Sequence, residues 1–115
     1  MTAKDTSRSA GTADDAVTVV DAPREQRYEA RRGPQLLGFA AYRRTAELIV
    51  FTHTEIDPNV EGQGIGGTLV RAALEDVRRQ QVAVFPLCPF VREWMSRHPE
   101  YDDLDSRRPP ARAAD

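Results

Sequence analysis

The stretch Glu61-Gly62-Gln63-Gly64-Ile65-Gly66-Gly67 decides how this chain folds. It lies directly after a strand-like run and directly before a strong helical pattern. Glycine adopts positive φ without steric cost and lets the backbone approach a ligand closely. The first turn of a helix has unpaired N–H groups and the positive end of the helix dipole. A turn built in this way binds phosphate groups, so the stretch predicts a site for a phosphorylated ligand.

Composition limits the kind of protein that this is. The chain has 115 residues, which is enough for one domain, and its 16 basic and 18 acidic residues give a net charge of −2. This near balance gives no support for nucleic-acid binding by a basic surface. Cys88 is the only cysteine, so no intrachain disulfide forms. One cysteine with two histidines does not make an ordinary structural zinc site, and we expect no metal.

Polar stretches at both ends lack periodicity and predict disordered tails over residues 1–16 and 105–115. The folded domain is expected over residues 17–104. The first 16 residues contain no apolar signal region. No run approaches the roughly 18 apolar residues of a membrane span. We therefore expect a cytoplasmic protein with no membrane partner.

The central region predicts an α+β domain. Alternating and β-branched runs predict strands, one of them a weak edge strand over Arg24–Arg31, and apolar residues at helical spacing predict two main helices. The strands are expected at Val17–Val20, Arg24–Arg31, Gln35–Arg43, Glu47–Ile56 and Val82–Leu87, and the helices at Gly66–Arg79 and Pro89–Arg97. A strand–helix–strand crossover makes the last two strands parallel. The sheet is therefore small, mixed and mainly antiparallel, with the helices on one face or on both.

The glycine turn does not match either of two common phosphate-binding motifs. A P-loop needs a lysine after its last glycine, but Gly67 is followed by Thr68 and Leu69. The dinucleotide fingerprint is formally present, yet it also needs an acidic residue about 20 positions further on. Residues 80–92 contain no Asp or Glu.

The residues around the turn resemble a third kind of site. Gly64 and Gly66 fit the acyl-CoA loop of the GNAT acetyltransferase superfamily, Gln/Arg-x-x-Gly-x-Gly/Ala, although Glu61 replaces the usual Gln or Arg. His53-Thr-Glu55, Pro86-Leu-Cys-Pro-Phe-Val91 and Arg97-His-Pro-Glu-Tyr101 extend the likeness to the short, roughly 90-residue N-acetyltransferase branch. The resemblance covers about Tyr28 to Leu104. It implies a GNAT-like fold with a splayed parallel strand pair, and acetyl-CoA as the acetyl donor.

The resemblance also implies where acetyl-CoA binds. Backbone N–H groups of Gln63 to Gly66 would hold the pyrophosphate, pantetheine would lie between the splayed strands, and an N–H near Thr54 to Ile56 would polarise the thioester carbonyl. The expected cofactor-binding residues are Thr54, Ile56, Gln63, Gly64, Ile65, Gly66, Gly67, Cys88 and Phe90.

Three residues are candidates for catalysis of transfer to an amine that the sequence does not identify. Glu55 and His53 share a strand face, and in a catalytic role they provide a base. In the alternative interpretation Glu55 is an exposed carboxylate at the strand end and His53 is a structural histidine. Cys88 is a nucleophile near a helix N-terminus, or a buried wall of the CoA channel. The superfamily implies direct transfer without a covalent step. The alternative function is a non-catalytic acyl-CoA-binding module.

The acceptor side is expected to be open. Full-size members of the superfamily carry helices between their first strands, whereas here only Gly33-Pro34 separates two candidate strands. A shallow site of this kind fits an amine on a protein or a small amine. Nothing in the sequence indicates an oligomeric state.

Overall fold

The computed structural model describes residues 16–108 of the chain. Residues 1–15 and 109–115, which hold most of both predicted tails, lie outside the described residues. The strands are β1 (Thr18–Ala22), β2 (Arg27–Arg32), β3 (Gln35–Arg44), β4 (Leu48–Ile56) and β5 (Ala83–Pro86), and the helices are α1 (Ile65–Gln80) and α2 (Pro89–Ser96). Three short 3-10 segments, Pro23–Glu25, Pro58–Val60 and Pro99–Leu104, complete the order. Each predicted strand and helix is present within a few residues of its expected bounds.

The five strands form one sheet in the order β1–β2–β3–β4–β5. The first three pairings are antiparallel and β4 pairs with β5 in parallel, so the predicted mixed, mainly antiparallel sheet is confirmed. The prediction that the strand around Arg24–Arg31 lies at an edge is wrong. β2 lies between β1 and β3, where Tyr28 and Ala30 are buried.

Both helices pack on the same face of the sheet. The predicted apolar stripe of α1 is buried in the core, and α2 contacts α1. The Tyr28 hydroxyl donates to Asp76 of α1 at 2.7 Å, and the Tyr42 hydroxyl donates to Asp21 at 2.6 Å. Burial first, and then the neighbouring carboxylate, raises the pKa of both tyrosines. Both hydroxyls therefore stay protonated as donors and tie the core to β1 and α1.

The opposite face of the sheet is polar and is not covered by a helix of the described residues. On this face the Glu29 side chain is only 7% exposed, because the guanidinium groups of Arg27 and Arg31 each donate to it at 2.8 Å. Burial alone would raise the pKa of Glu29, but the two arginines outweigh it and hold the pKa below its usual value. Arg27 also lies over the Phe39 ring, 4.6 Å from its centroid.

A β-bulge in β4 reverses which residues face the helices. Tyr42 pairs with Phe51, whereas its neighbour Ala41 pairs with His53, which leaves Thr52 as an extra residue. Side chains normally alternate along a strand, so Phe51 and His53 would share a face without the bulge. Instead Phe51 is buried in the core and His53 lies on the open face.

Residues that follow Leu104, the predicted end of the domain, contact the sheet. Asp105 forms a bridge with Val84, and the Ser106 N–H donates to the Val84 carbonyl at 2.7 Å. Asp105 is buried and pairs with Arg107 at 2.7 Å, which lowers the pKa of its carboxyl. Residues 105–108 therefore cover the free edge of β5. None of the helices in residues 16–108 has the length and apolar character needed to cross a membrane.

Candidate functional site

The glycine turn joins the end of β4 to the start of α1. Asp57 ends the strand and caps the following 3-10 segment, because its carboxylate accepts from the Asn59 N–H at 2.9 Å. Gly62 and Gly64 have φ of 86° and 79°, a conformation that side chains rarely adopt. The first hydrogen bond of α1 joins the Thr68 N–H to the Gly64 carbonyl. The N–H groups of residues 65–67 therefore precede the helical ladder and remain available to a ligand.

A cavity of about 350 Å³ opens over this turn. Six of the nine predicted cofactor-binding residues contribute to it, namely Ile56, Gly64, Ile65, Gly66, Gly67 and Phe90. The structure brings these residues together from β4, the turn, α1 and the start of α2. Glu61, which replaces the Gln or Arg of the superfamily motif, also lines the cavity. Its own N–H donates to the Pro58 carbonyl at 3.3 Å.

Phe90 lines the cavity and lies close to Gly66. A Cβ on Gly66 would lie 2.6 Å from Cζ of the Phe90 ring. Phe90 is 42% exposed, so its ring is an apolar surface beside the cavity rather than part of the core. The glycine thus allows an aromatic side chain to lie directly against the first turn of α1.

Gln63 does not line the cavity with the other turn residues. Its N–H donates to the Val60 carbonyl at 3.3 Å, and its side-chain oxygen accepts from Arg32 at 3.3 Å. Arg32 lies at the end of β2 and is a residue that sequence reasoning missed. It brings a positive charge beside the turn. Because the two residues are 31 positions apart, no local pattern signals their contact.

The parallel pairing of β4 and β5 breaks off beside this cavity. The last register pair is Phe51 with Pro86, and the Cys88 N–H still donates to the Phe51 carbonyl at 2.8 Å. Beyond that point β5 turns into α2, while His53 to Ile56 of β4 continue and pair with β3 alone. The predicted splayed strand pair is therefore present.

Thr54 and Cys88 lie together on the helix side of this break. Their side-chain oxygen and sulfur are 3.4 Å apart. Cys88 is 4% exposed. It is the N-cap residue of α2, in agreement with its predicted position near a helix N-terminus.

His53 and Glu55 lie together on the open face of the sheet. His53 Nε2 is 2.8 Å from a carboxylate oxygen of Glu55, and the two side chains are 59% and 61% exposed. The His53 ring also meets the Phe39 ring edge-on, with 6.3 Å between centroids. The three candidate catalytic residues are thus divided by the sheet, with Cys88 on the helix side and the His53–Glu55 pair on the other.

A second cavity, of about 450 Å³, begins at Gly67 and extends along α1. It is lined by Thr68, Arg71, Trp94 and His98, and the His98 ring stacks on Trp94 with 3.7 Å between centroids. Arg71 donates to the Tyr101 hydroxyl at 3.1 Å and is half exposed. A basic side chain therefore lies between one and two helical turns from the available N–H groups of α1.

This fold and this turn define a class of protein. A family model described as GCN5-related N-acetyl-transferase matches residues 27–104, which is more than half of the chain. The chain therefore belongs to the GCN5-related N-acetyltransferase family.

A solved structure supports the same fold. The solution structure of a GCN5-like candidate N-acetyltransferase from Staphylococcus aureus superposes with a TM-score of 0.59 at 21% identity, covering 76% of this chain and 86% of that one. No curated protein matches the chain significantly.

Proposed function

We propose that this protein transfers the acetyl group of acetyl-CoA directly to an amine. The observation that carries the proposal is the cavity at the glycine turn, where available N–H groups of α1 lie beside the break between β4 and β5. Donors at a helix N-terminus suit a pyrophosphate. Strands that stop pairing leave main-chain groups for an amide-rich chain such as pantetheine.

The cofactor is assigned to residues on the helix side of the sheet. The N–H groups of Ile65, Gly66 and Gly67 bind the pyrophosphate, and Arg32, which contacts the turn at Gln63, contributes a positive charge. Phe90 packs against the pantetheine arm. Arg71, in the neighbouring cavity, interacts with a phosphate at the nucleotide end of CoA.

The chemistry is assigned to the break in the sheet. A main-chain N–H between Thr54 and Ile56 polarises the thioester carbonyl. Glu55, with His53 as its hydrogen-bond partner, accepts the proton of the incoming amine, which attacks only when neutral. Cys88 is buried against Thr54 and forms the wall of the thioester end, so transfer needs no acetyl-cysteine.

Calorimetry tests the cofactor assignment. Binding of CoA and acetyl-CoA, with no binding of NAD or ATP, is expected. No heat with CoA from folded protein would refute the proposal. Gly64→Val is expected to abolish CoA binding because a side chain at φ 79° would reshape the turn. Gly33→Val is the matched control, since Gly33 also has positive φ, at 57°, with nothing within 4 Å of a new Cβ.

Release of CoA from acetyl-CoA in the presence of amines tests the catalytic assignment. Glu55→Gln is expected to lower kcat by about 10²-fold or more, the usual contribution of a positioned general base, and to leave CoA affinity unchanged. Mass spectrometry of the protein after incubation with acetyl-CoA tests the direct route. Detection of an acetyl group on Cys88 that then passes to an added amine would show that transfer follows a covalent route instead of the direct one.

A further inference from the structure

The basic residues of this chain are almost all arginines. Of its 16 Lys and Arg residues, 15 are arginines and one is a lysine, Lys4. All 13 that lie in residues 16–108 are arginines. A guanidinium stays protonated in proteins, whereas a lysine amine that loses its proton is a nucleophile. Residues 16–108 therefore present no side-chain amine to a bound thioester, and Lys4 carries the one lysine amine of the chain.

The sheet topology places the start of β1 at the end of the sheet where we propose acetyl transfer. Thr18, at the start of β1, pairs with Arg31, and Arg31 pairs with Leu36. Next to Leu36, the Leu37 carbonyl accepts from the Asp57 N–H at 2.8 Å, directly after the last residue of β4. The chain thus enters β1 at the same sheet end at which β4 stops and the glycine turn follows.

The distance from the start of β1 to this site is short compared with the chain that precedes β1. Three strand spacings separate β1 from β4, which amounts to about 14 Å. The 13 residue steps from Lys4 to Val17 span up to about 45 Å when extended. No helix of residues 16–108 covers the open face between β1 and Glu55. The chain before β1 is therefore long enough to bring Lys4 to Glu55 across that face.

The residues after Leu104 lie at the other end of the sheet. The Ser106 N–H donates to the Val84 carbonyl, and Val84 pairs with Ile49, six residues before Glu55 in β4. Six residues of a strand measure about 20 Å. Arg108 follows Ser106, its N–H donates to the Asp105 carbonyl, and its side chain is 59% exposed. Arg108 is therefore an exposed basic residue that is held away from the proposed transfer site.

We infer that Lys4 is a modification site of this chain and that its own transfer site acetylates it in cis. This inference rests on the proposed function. The Lys4 ammonium gives a proton to the Glu55–His53 pair, and the neutral Nζ attacks the thioester carbonyl carbon. A C–N bond forms and the C–S bond breaks. CoA leaves with a proton on its sulfur, and the chain keeps an Nε-acetyl-lysine and loses one positive charge.

Tethering gives this reaction a kinetic signature. A group held on a short linker has an effective concentration on the order of mM at its site. At micromolar protein, acetylation within one chain therefore exceeds acetylation between two chains by about 10²-fold or more. The rate per chain should not depend on the protein concentration.

Mass spectrometry of the full chain after incubation with acetyl-CoA tests the inference. One acetyl group on Lys4 is expected, located by peptide fragmentation, at the same rate per chain when the protein is diluted. Lys4→Arg should remove this product. Glu55→Gln protein, which keeps Lys4, should be acetylated at least about tenfold more slowly than wild type when it is mixed with Lys4→Arg protein, since that reaction takes place between chains.

The double variant Lys4→Arg/Arg108→Lys is the matched control. It keeps one lysine and the net charge of −2, but moves the amine to the other end of the sheet. Its lysine should be acetylated at least about tenfold more slowly than Lys4, with urea unfolding used to verify that the variant is folded. Equal rates for the two lysines would overturn the inference, because the position of Lys4 would then have no effect.

The outcomes separate this inference from the proposed function. Failure of the wild-type protein to bind CoA, or to acetylate any amine, would refute the proposed function. If CoA binds and an added amine is acetylated while Lys4 stays unmodified, the inference alone is wrong. A rate per chain that rises in proportion to protein concentration, or an acetyl group on the terminal amine in place of Lys4, would also overturn it.

Discussion

Gly66 is the residue where packing and ligand binding meet most closely. A Cβ there would lie 2.6 Å from Phe90 Cζ, whereas a Cβ on the next residue, Gly67, would lie 3.4 Å from Trp94 Nε1. Both positions belong to the first turn of α1, where alanine is intrinsically preferred over glycine by roughly 0.5–1 kcal/mol. Comparing the two substitutions therefore separates helix propensity from the contact with Phe90.

Gly66→Ala is expected to leave the free energy of unfolding within about 1 kcal/mol of wild type, because the Phe90 ring rotates away. CoA affinity should fall by about tenfold, equivalent to ~1.4 kcal/mol, since the cavity wall moves. Gly67→Ala should keep wild-type affinity. Urea unfolding and calorimetry measure the two quantities. Equal CoA affinity for both variants would show that Phe90 does not shape the cofactor site.

Glu29 makes the stability of the open face depend on pH. Its folded-state pKa lies below the ordinary value of 4.5, so its stabilising contribution is complete above that pH. The contribution is lost as pH falls through the lowered, folded-state pKa. Glu29→Gln should cost about 2 kcal/mol at neutral pH, because two charge-assisted hydrogen bonds weaken, and should remove this part of the acid dependence.

Glu93→Gln is the matched control for that substitution. Glu93 pairs with Arg97 at 3.3 Å, but its side chain is 70% exposed. Exposed pairs of this spacing contribute only about 0.3–0.5 kcal/mol. Urea unfolding at neutral pH and near pH 3 measures both variants. A cost for Glu29→Gln no larger than for Glu93→Gln would mean that the two arginines do not stabilise the fold through this carboxylate.

At the scale of elements, the free edge of β5 depends on the residues that follow Leu104. A chain that ends at Leu104 loses the Ser106–Val84 hydrogen bond and the buried Asp105. It should be about 1–2 kcal/mol less stable than a chain that ends at Arg108, by the usual contribution of one or two hydrogen bonds. Urea unfolding of the two chains measures the difference. Equal free energies of unfolding for the two chains would show that the folded domain ends at Leu104.

The bulge in β4 is the element-scale feature that divides the site. Without Thr52 as an extra residue, His53 would point toward the helices with Phe51. With it, Thr54 faces Cys88 and the His53–Glu55 pair faces the open side. One added residue in one strand thus separates the groups assigned to the thioester from those assigned to the amine.

For the whole molecule, the sheet separates two surfaces. Both helices, the glycine turn and the larger cavities lie on one side, and the open polar face lies on the other. The break between β4 and β5 is where the two sides approach each other. This arrangement supports donor binding from the helix side and acceptor binding from the open face.

Ligand binding should stabilise the molecule as a whole. CoA at about 100 times its dissociation constant should add ~2.7 kcal/mol to the free energy of unfolding, because only the folded chain presents the assembled site. Pantetheine, which lacks the pyrophosphate, should stabilise much less at the same concentration. Thermal unfolding with each compound measures the effect. Equal stabilisation by the two would place the main binding energy away from the glycine turn.

The sequence by itself determined the order and type of the elements and the location of the glycine turn. These are local properties, because apolar spacing, proline and glycine act through residues close along the chain. The splayed strand pair and the acetyl-CoA assignment came from the resemblance of several short motifs in order.

Only the tertiary structure decided which side of the sheet each candidate faces. The bulge at Thr52 carries no compositional signal, and it reverses the alternation that a sequence pattern assumes. The contact of Arg32 with Gln63 and the packing of Phe90 on Gly66 likewise join residues that are distant in sequence. Such contacts depend on how the elements pack, and the local physics that forms each element does not determine them.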